Sequence, residues 1–586
     1  MAPAQPESAL PPFTPVSTYV PPTLDPTRWS ELEPLYAGLL GRQVTSAAGL
    51  VELILDRSEL DAAASEAAST NHINMTRDTE NAEVKRRYLD FVENVEPRLK
   101  EVGFELDKKV ASSPFAGELD PARFGVLLRD TKAAVELFRP ENIPLETDLT
   151  KLNQRYDEIC GAMMVNFRSQ ERTLPQMGRY QEEPDRATRE EAWRLVVERR
   201  LRDREAIEGI FEEMLAKRHT VARNAGFDDY RGYAFKAKRR FDYTPKDCDL
   251  FAQGVEKHVV PAMRRLHAQR RAGLGLERLR PWDLAVDPKG RPALRPFATA
   301  DEMVVRTRRV FSRMDSSPGG LAALFGALAD GPQGEACLDL DSRKGKAPGG
   351  YQANRDRRRL PFIFMNAAGV QRDVETMVHE AGHAFHSLLC RGENVLSNRA
   401  DIPLEFAEVA SMSMELTSHP FLDEFYPNAG DADRARRVHL EGIATILPWI
   451  ATIDQFQQWL YTHPGHTRDE RAAVWVGLQE RFGADVDWSG LEEARRFMWQ
   501  RQLHLFGAPF YYIEYGIAQL GALQLWQRYR SDAPGAIAAY KRGLALGGSR
   551  PLPQLFEAAG LDFDFSPARI ERTWGEVERA LEELPV

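Results

Sequence analysis

Between residue 29 and about residue 198, apolar positions recur mostly at helical spacing. The stretch from Leu50 to Glu101 predicts long amphipathic helices rich in Ala, Leu, Glu and Arg. Phe138-Arg139-Pro140-Glu141-Asn142 interrupts that pattern, and Thr188 to Arg223 resumes it with many charges. Leu274 to Pro296 is loop-like. Strand patterning is rare. It is found at Cys337-Leu338-Asp339-Leu340, and Pro361-Phe362-Ile363-Phe364-Met365-Asn366 is the best strand candidate. Between them, Gly345 to Gly350 predicts a turn. The remainder to Val586 predicts helices with short loops. The expectation is a mainly α protein with one small sheet.

One predicted helix has an unusual second face. Asp373 can cap a helix reaching about Cys390, whose stripe is Val374, Met377, Val378, Ala381, Phe385 and Leu388. His379, His383 and His386 fall on the opposite side, and Glu380 is the only formally charged side chain between Thr376 and Cys390. Histidines at i and i+4 project from neighbouring turns, so both rings can reach one ion. Glu380, rotated from them by about 60 to 100°, is an awkward third ligand. It is better placed to take a proton from a water acidified by the metal. Chance would produce an HExxH run roughly 0.02 times in such a chain. The alternative is a buried polar helix with hydrogen-bonded histidines. His386 suits an outer or packing role rather than ligation, and Cys390 suits the core.

A catalytic zinc normally takes three protein ligands. The position that would supply a nearby third histidine is Leu389, so the third ligand lies elsewhere. Asp401 to Glu408 opens a second helix with Pro403 in its first turn. Glu405, Glu408, Ser411 and Glu415 lie within about 60° of one line on it. Lys and Arg are absent from Pro403 to Leu416. Burying three such carboxylates is costly unless a cation compensates them. Glu408 is the first candidate ligand and Glu405 the second, while Glu415 suits the orientation of a histidine ligand. Solvated acids are the alternative for Glu405 and Glu415. A third cluster runs from His504 to Tyr515. Tyr512 and Tyr515 share a face by i, i+3 spacing, and Tyr511 pairs with Tyr515 by i, i+4. Phenol and imidazole donors would suit an oxyanion; core packing is the alternative.

Charge and composition narrow the class. The net charge of -10 argues against general nucleic-acid binding. Of the basic runs, Arg264 to Arg271 reads as a solvated helix face, while Arg355 to Arg359 lies near the candidate site. The four cysteines form no CxxC pair, which fits a reducing compartment. Residues 1–28 read as an extended proline-rich arm with no signal-peptide pattern. No apolar run approaches the ~20 residues of a membrane span. A cytoplasmic protein is expected.

Together these clusters resemble the M3 family of metallopeptidases, most nearly its bacterial oligoendopeptidase F branch. That family has a Gly-rich loop, a strand, HExxH on a helix, and a Glu about 25 residues beyond the second His. Here these are Gly345 to Tyr351, Pro361 to Asn366, His379 to His383, and Phe406-Ala407-Glu408-Val409-Ala410-Ser411. The resemblance favours Glu408 over Glu405. It implies one Zn2+ per chain on His379, His383 and Glu408, with Glu380 as general base. Tyr515, joined by Tyr512 or His504, would serve the oxyanion; His504 is offset by about one position from the family pattern. Glu415, Gly349, Gly350, Phe364 and Tyr511 would support the site or touch substrate. The implied fold is a two-lobed helical body with a small sheet beside the active-site helix and a deep central channel. The expected organisation is an arm at 1–28, a helical region at 29–200 and a catalytic domain at 201–586, with the HExxH helix at 373–390. The implied substrates are short unstructured peptides cut internally, with backbone pairing at a strand edge near Phe362 to Asn366. No nucleic acid, membrane or obligatory protein partner is implied. The nearest rival is a helical HExxH carboxypeptidase, which would need Arg355, Arg357 or Arg358 to capture a terminal carboxylate. A zinc-stabilised peptide-binding protein without turnover is the rival from another class. The ligand set alone would also accept Co2+ or Mn2+.

Overall fold

A computed structural model of the chain describes residues 10–15, 17–343, 345–347 and 349–585. Residues 1–9 and 16 of the expected arm, and 344 and 348 of the expected glycine-rich turn, lie outside the described residues. The described residues are mostly α-helical, and no helix among them is long and apolar enough to cross a membrane. They form two units, each assembled from three separated stretches. The first comprises Met1–Glu136, Leu294–Arg436 and Ala518–Phe563; the second comprises Leu137–Ala293, Arg437–Ile517 and Asp564–Val586.

In the first unit, helices Trp29–Gly41, Ala47–Arg77, Ala82–Asn94 and Glu96–Ala111 bury Leu39, Leu50, Leu53, Leu60 and Leu106 in one cluster. Side-chain caps set their starts: Ser46 accepts the Gly49 N–H, and Asn81 accepts those of Glu83 and Val84. The described part of the arm carries no helix or strand and is tied down on this unit. The Tyr19 hydroxyl donates to the Leu35 carbonyl at 2.5 Å, and Phe13 sits under the guanidiniums of Arg359 and Arg391.

Five short strands are present among the described residues. β1 (Met164–Phe167) and β2 (Gln170–Thr173) form an antiparallel hairpin in the second unit. β3 (Leu338–Asp341), β4 (Tyr351–Arg355) and β5 (Leu360–Ala367) form a sheet of order β3-β5-β4 in the first. β5 runs parallel to β3 and antiparallel to β4. As the central strand, covered on both faces, β5 buries Leu360 through Met365. That position corrects one expectation. The edge near Phe362 to Asn366 is not open to a peptide, because Leu360 to Phe364 pair with Arg355 to Tyr351. Beyond them, the Asn366 amide donates to the carbonyls of Ala347 and Gly349. The sheet's free edge on this side belongs to β4.

The second unit is helical, with Phe211, Phe251, Trp475 and Trp499 buried in its core. Among its buried charges, Asp283 accepts from both Arg186 and Arg189.

Candidate metal centre

The histidine helix runs from Gln371 to Leu389. It starts two residues before Asp373, whose carboxylate reaches back to accept the N–H groups of Ala368 and Val370 at 2.8 and 3.0 Å. The carboxylate helix runs from Leu404 to Thr417, directly after Pro403. The two helices meet at Gly382. A Cβ there would lie 2.6 Å from both the Ala410 carbonyl oxygen and the Ser411 Cα. Only a glycine allows this approach, and it sets how close Glu408 comes to the histidines.

His379, His383 and Glu408 each offer a ligand atom, and these atoms lie within 4.8 Å of one another. His379 Nε2 is 3.4 Å and His383 Nε2 3.7 Å from Glu408 Oε2. Ligands about 2.1 Å from a tetrahedral zinc stand about 3.4 Å apart, so the spacing fits the ion. The outer nitrogens are also held. His379 Nδ1 donates to Glu415 Oε1 at 2.6 Å, and the His383 ring donates to the Ala407 carbonyl. Ser411 Oγ donates to Glu408 Oε2 at 2.9 Å. Such partners fix tautomer and ring orientation.

The electrostatics favour a cation. Burial works against a charged His379, but the Glu415, Glu408 and Glu380 carboxylates outweigh it and hold its pKa up at about 9. Burial pushes the Glu380 carboxyl up to about 7, against the pull of His379. Burial, then the charges of His379 and His386, push His383 down. Three carboxylates thus crowd one half-buried imidazole pair, and a dication would take over the compensation that a proton on His379 provides. Glu380 Oε2 is buried without a hydrogen-bond partner, while its carboxylate accepts the backbone N–H of Gln352 in β4.

Other anticipated residues sit elsewhere. Glu405 is buried one turn nearer the helix start, outside the ligand group. His386 is packed edge-on against Phe406, and burial lowers its pKa to about 3. Cys390 is buried. Phe364 is fully buried and stacked on Tyr351 at 4.8 Å, so its side chain is not open to solvent. Gly349 and Gly350 are exposed; a Cβ on Gly350 would lie 3.4 Å from the Thr376 side chain, one turn before His379. The arginines near the site are engaged: Arg355 with Glu335, Arg358 with Glu66 and Glu335, and Arg357 with the Pro21 carbonyl.

His504, Tyr511, Tyr512 and Tyr515 form a ring cluster in the second unit. The His504 ring lies 4.9 Å from Tyr512, 5.4 Å from Tyr511 and 6.1 Å from Tyr515. Tyr515 lies 5.0 Å from Tyr511 and 5.6 Å from Tyr512. The helix begins at Tyr512, so Tyr511 approaches Tyr515 from the preceding loop. Burial raises the Tyr512 phenol's pKa, offset in part by hydrogen bonds with Trp449 and Gln502. Sequence reasoning missed Gly382, the Ala407 carbonyl and the Gln352 N–H. Only Gly382 left a signal, as an isolated glycine inside a helical pattern.

Comparison with known proteins places this geometry. The model of peptidase family M3 matches residues 179–573, and that of the peptidase M3 N-terminal domain matches 24–138. An oligoendopeptidase F homolog of Borreliella burgdorferi is 23% identical over 403 residues, 65% of this chain and 65% of that relative's length. The structure of PZ peptidase A with an inhibitor superposes with a TM-score of 0.86 at 27% identity, covering 95% of this chain and 98% of the other. An X-ray structure of an oligoendopeptidase F, from crystals grown by microfluidic seeding, gives 0.86 at 29% identity over 97% and 99%. The chain belongs to peptidase family M3.

Proposed function

We propose that this M3 peptidase is a zinc-dependent endopeptidase that hydrolyses internal bonds of short, unstructured oligopeptides. The observation that carries the reading is the triangle of His379 Nε2, His383 Nε2 and Glu408 Oε2, with the unpartnered Glu380 oxygen on the same helix. Zinc held by that triangle would supply a Lewis acid for the scissile carbonyl and lower the pKa of the attacking water. Glu380 accepts that water's proton and passes it to the leaving amine, a task suited to a carboxyl raised toward neutrality. Glu415 and the Ala407 carbonyl hold the imidazoles in register. For Tyr515, joined by Tyr512 or His504, the family resemblance supports a donor role toward the developing oxyanion.

The test is Glu380→Gln, with products from a peptide blocked at both termini read by mass spectrometry. The variant should keep about one zinc per chain and lose nearly all hydrolysis. Substantial retained activity refutes the assigned base. Stepwise release of single C-terminal residues from an unblocked peptide would favour the carboxypeptidase, although Arg355 and Arg358 are already paired with protein carboxylates.

A further inference from the structure

The second unit contains a cavity of about 230 Å³ lined by residues of Leu174–Gln181, the Arg186–Arg202 helix and Trp488–Arg501. Its walls are apolar, with Trp193, Trp488, Phe497 and Met498 prominent. Trp193 and Trp488 approach to 6.2 Å between ring centres. No carboxylate lines the cavity. The polar lining consists of two amides and two guanidiniums. The amides are committed, Gln181 to the Arg189 carbonyl and Gln500 to the Arg204 carbonyl and Glu208.

The guanidiniums, Arg200 and Arg501, are not. Among the described residues neither side chain has a hydrogen bond or a carboxylate partner; Arg501 lies over the Trp449 ring at 5.3 Å. Several neighbouring arginines are paired. Arg194, Arg199, Arg204, Arg495 and Arg496, on the same or adjoining segments, are each paired with a carboxylate. Arg200 and Arg501 both line the cavity; Arg202, exposed on the same helix as Arg200 and outside the lining, is likewise without a carboxylate partner among the described residues. The surroundings and the Arg200 charge work against the Arg501 cation. Arg200 is half-buried and Arg501 exposed, so both guanidiniums are free to take up an anion at the recess without displacing a protein carboxylate. Arg501 also adjoins Tyr512, through Trp449 and through direct charge interaction.

We propose that this cavity binds an apolar side chain that carries a carboxylate, the aromatic walls taking the side chain and Arg200 and Arg501 the carboxylate. The last residue of a peptide has this chemistry, as does a free aryl- or alkyl-carboxylic acid. A peptide terminus as the source rests on the reading that the chain takes peptides.

The test is equilibrium binding to the Glu380→Gln protein, which needs no turnover. The probes are a pentapeptide ending in phenylalanine with a free carboxylate, the same peptide amidated, and 3-phenylpropanoate. Tryptophan fluorescence and calorimetry supply the readouts. If a peptide terminus is the occupant, the free acid should bind about tenfold or more tighter than the amide. That preference should disappear in Arg501→Gln and shrink in Arg200→Gln. If a free acid is the occupant, 3-phenylpropanoate binds, loses affinity in the same variants, and leaves the two peptides equal. Absence of both effects in the unvaried cavity overturns the proposal without any arginine variant. A preference that survives in both arginine variants also overturns it. Failure of the peptidase reading looks different: neither peptide then binds, while 3-phenylpropanoate still binds and loses affinity in the arginine variants.

Discussion

Gly382→Ala tests whether the approach of two helices sets the ligand triangle. The added Cβ would sit 2.6 Å from the Ala410 oxygen and the Ser411 Cα, and 2.9 Å from the Ala410 carbonyl carbon. Carbon contacts are comfortable from about 3.5 Å, so the helices must part by roughly 0.9 Å. All three obstacles are backbone or Cα atoms, and no side-chain rotation relieves them. Overpacking of this kind costs about 1–3 kcal/mol, while replacing a mid-helix glycine by alanine returns about 1 kcal/mol. The net effect on the fold is therefore small, within about 2 kcal/mol. The effect on the triangle is larger, because Glu408 lies on the helix that must move and is 3.4 and 3.7 Å from its partners. A shift of nearly 1 Å puts both separations beyond what a single tetrahedral ion spans. Zinc affinity should fall about 10–100-fold, with hydrolysis falling alongside at limiting metal. Competition against a chromogenic chelator measures the zinc affinity, peptide cleavage at limiting metal measures the hydrolysis, and thermal unfolding of the metal-free protein measures the change in stability. A variant with unchanged zinc affinity and unchanged kcat/KM refutes the reasoning, whatever its stability.

Glu415→Gln removes the carboxylate on His379 Nδ1 and should lower zinc affinity about 10–100-fold with little change in fold, by the same chelator assay. Tyr515→Phe should lower kcat about 100-fold with little change in KM; unchanged kinetics would leave the ring cluster as packing. Asp454 is buried, and burial raises its pKa to about 7 despite the nearby Arg240 charge. A folded-state pKa above the unfolded value of about 3.9 means that stability falls as pH rises from about 4 to 7 and is level above. Asp454→Asn should therefore melt higher than the parent at pH 8, with the difference closing near pH 4; equal melting temperatures at pH 8 would refute it.

The candidate metal centre was legible because its determinants are local. The i, i+4 histidines lie on one helix, whose second face lacks ordinary surface charge. The carboxylate helix declares itself by the absence of Lys and Arg. What the helix-face argument left open was the choice between Glu405 and Glu408. Three residues apart, they lie nearly on one line, and only the 25-residue family spacing favoured Glu408. In the structure the choice follows from where the helices touch. Gly382 meets Ala410 and Ser411, and Glu408, whose Oε2 accepts from Ser411, lies within that contact, whereas Glu405 falls a turn away. β4 was missed because its alternation is short and weak, with only Tyr351 and Ala353 facing the cluster of Ile73, Phe362 and Phe364, and its strand character comes from pairing with β5. The arginines beside it looked available for substrate because their partners, Glu66 and Glu335, are distant in sequence or outside any motif.

The ring cluster shows the limit of local reasoning most clearly. Spacing placed Tyr511 and Tyr515 on one helical face, yet the helix starts at Tyr512 because Phe510 adopts a left-handed backbone with φ of 63°. Gly507 and Pro509 are the residues whose types announce a turn, but the strained position is a buried phenylalanine. For an L-residue that conformation costs roughly 1–2 kcal/mol. Distant groups hold it: the Phe510 N–H donates to Gln457 Oε1 at 2.6 Å, and Arg240 donates to the Phe510 carbonyl. Arg240 also pairs with Glu514 at 2.8 Å, within the first turn of the new helix. One guanidinium thus ties the strained residue to the helix that carries Tyr512 and Tyr515. The orientation of those phenols depends on a residue more than 250 positions earlier, which no pattern within the tyrosine segment could reveal.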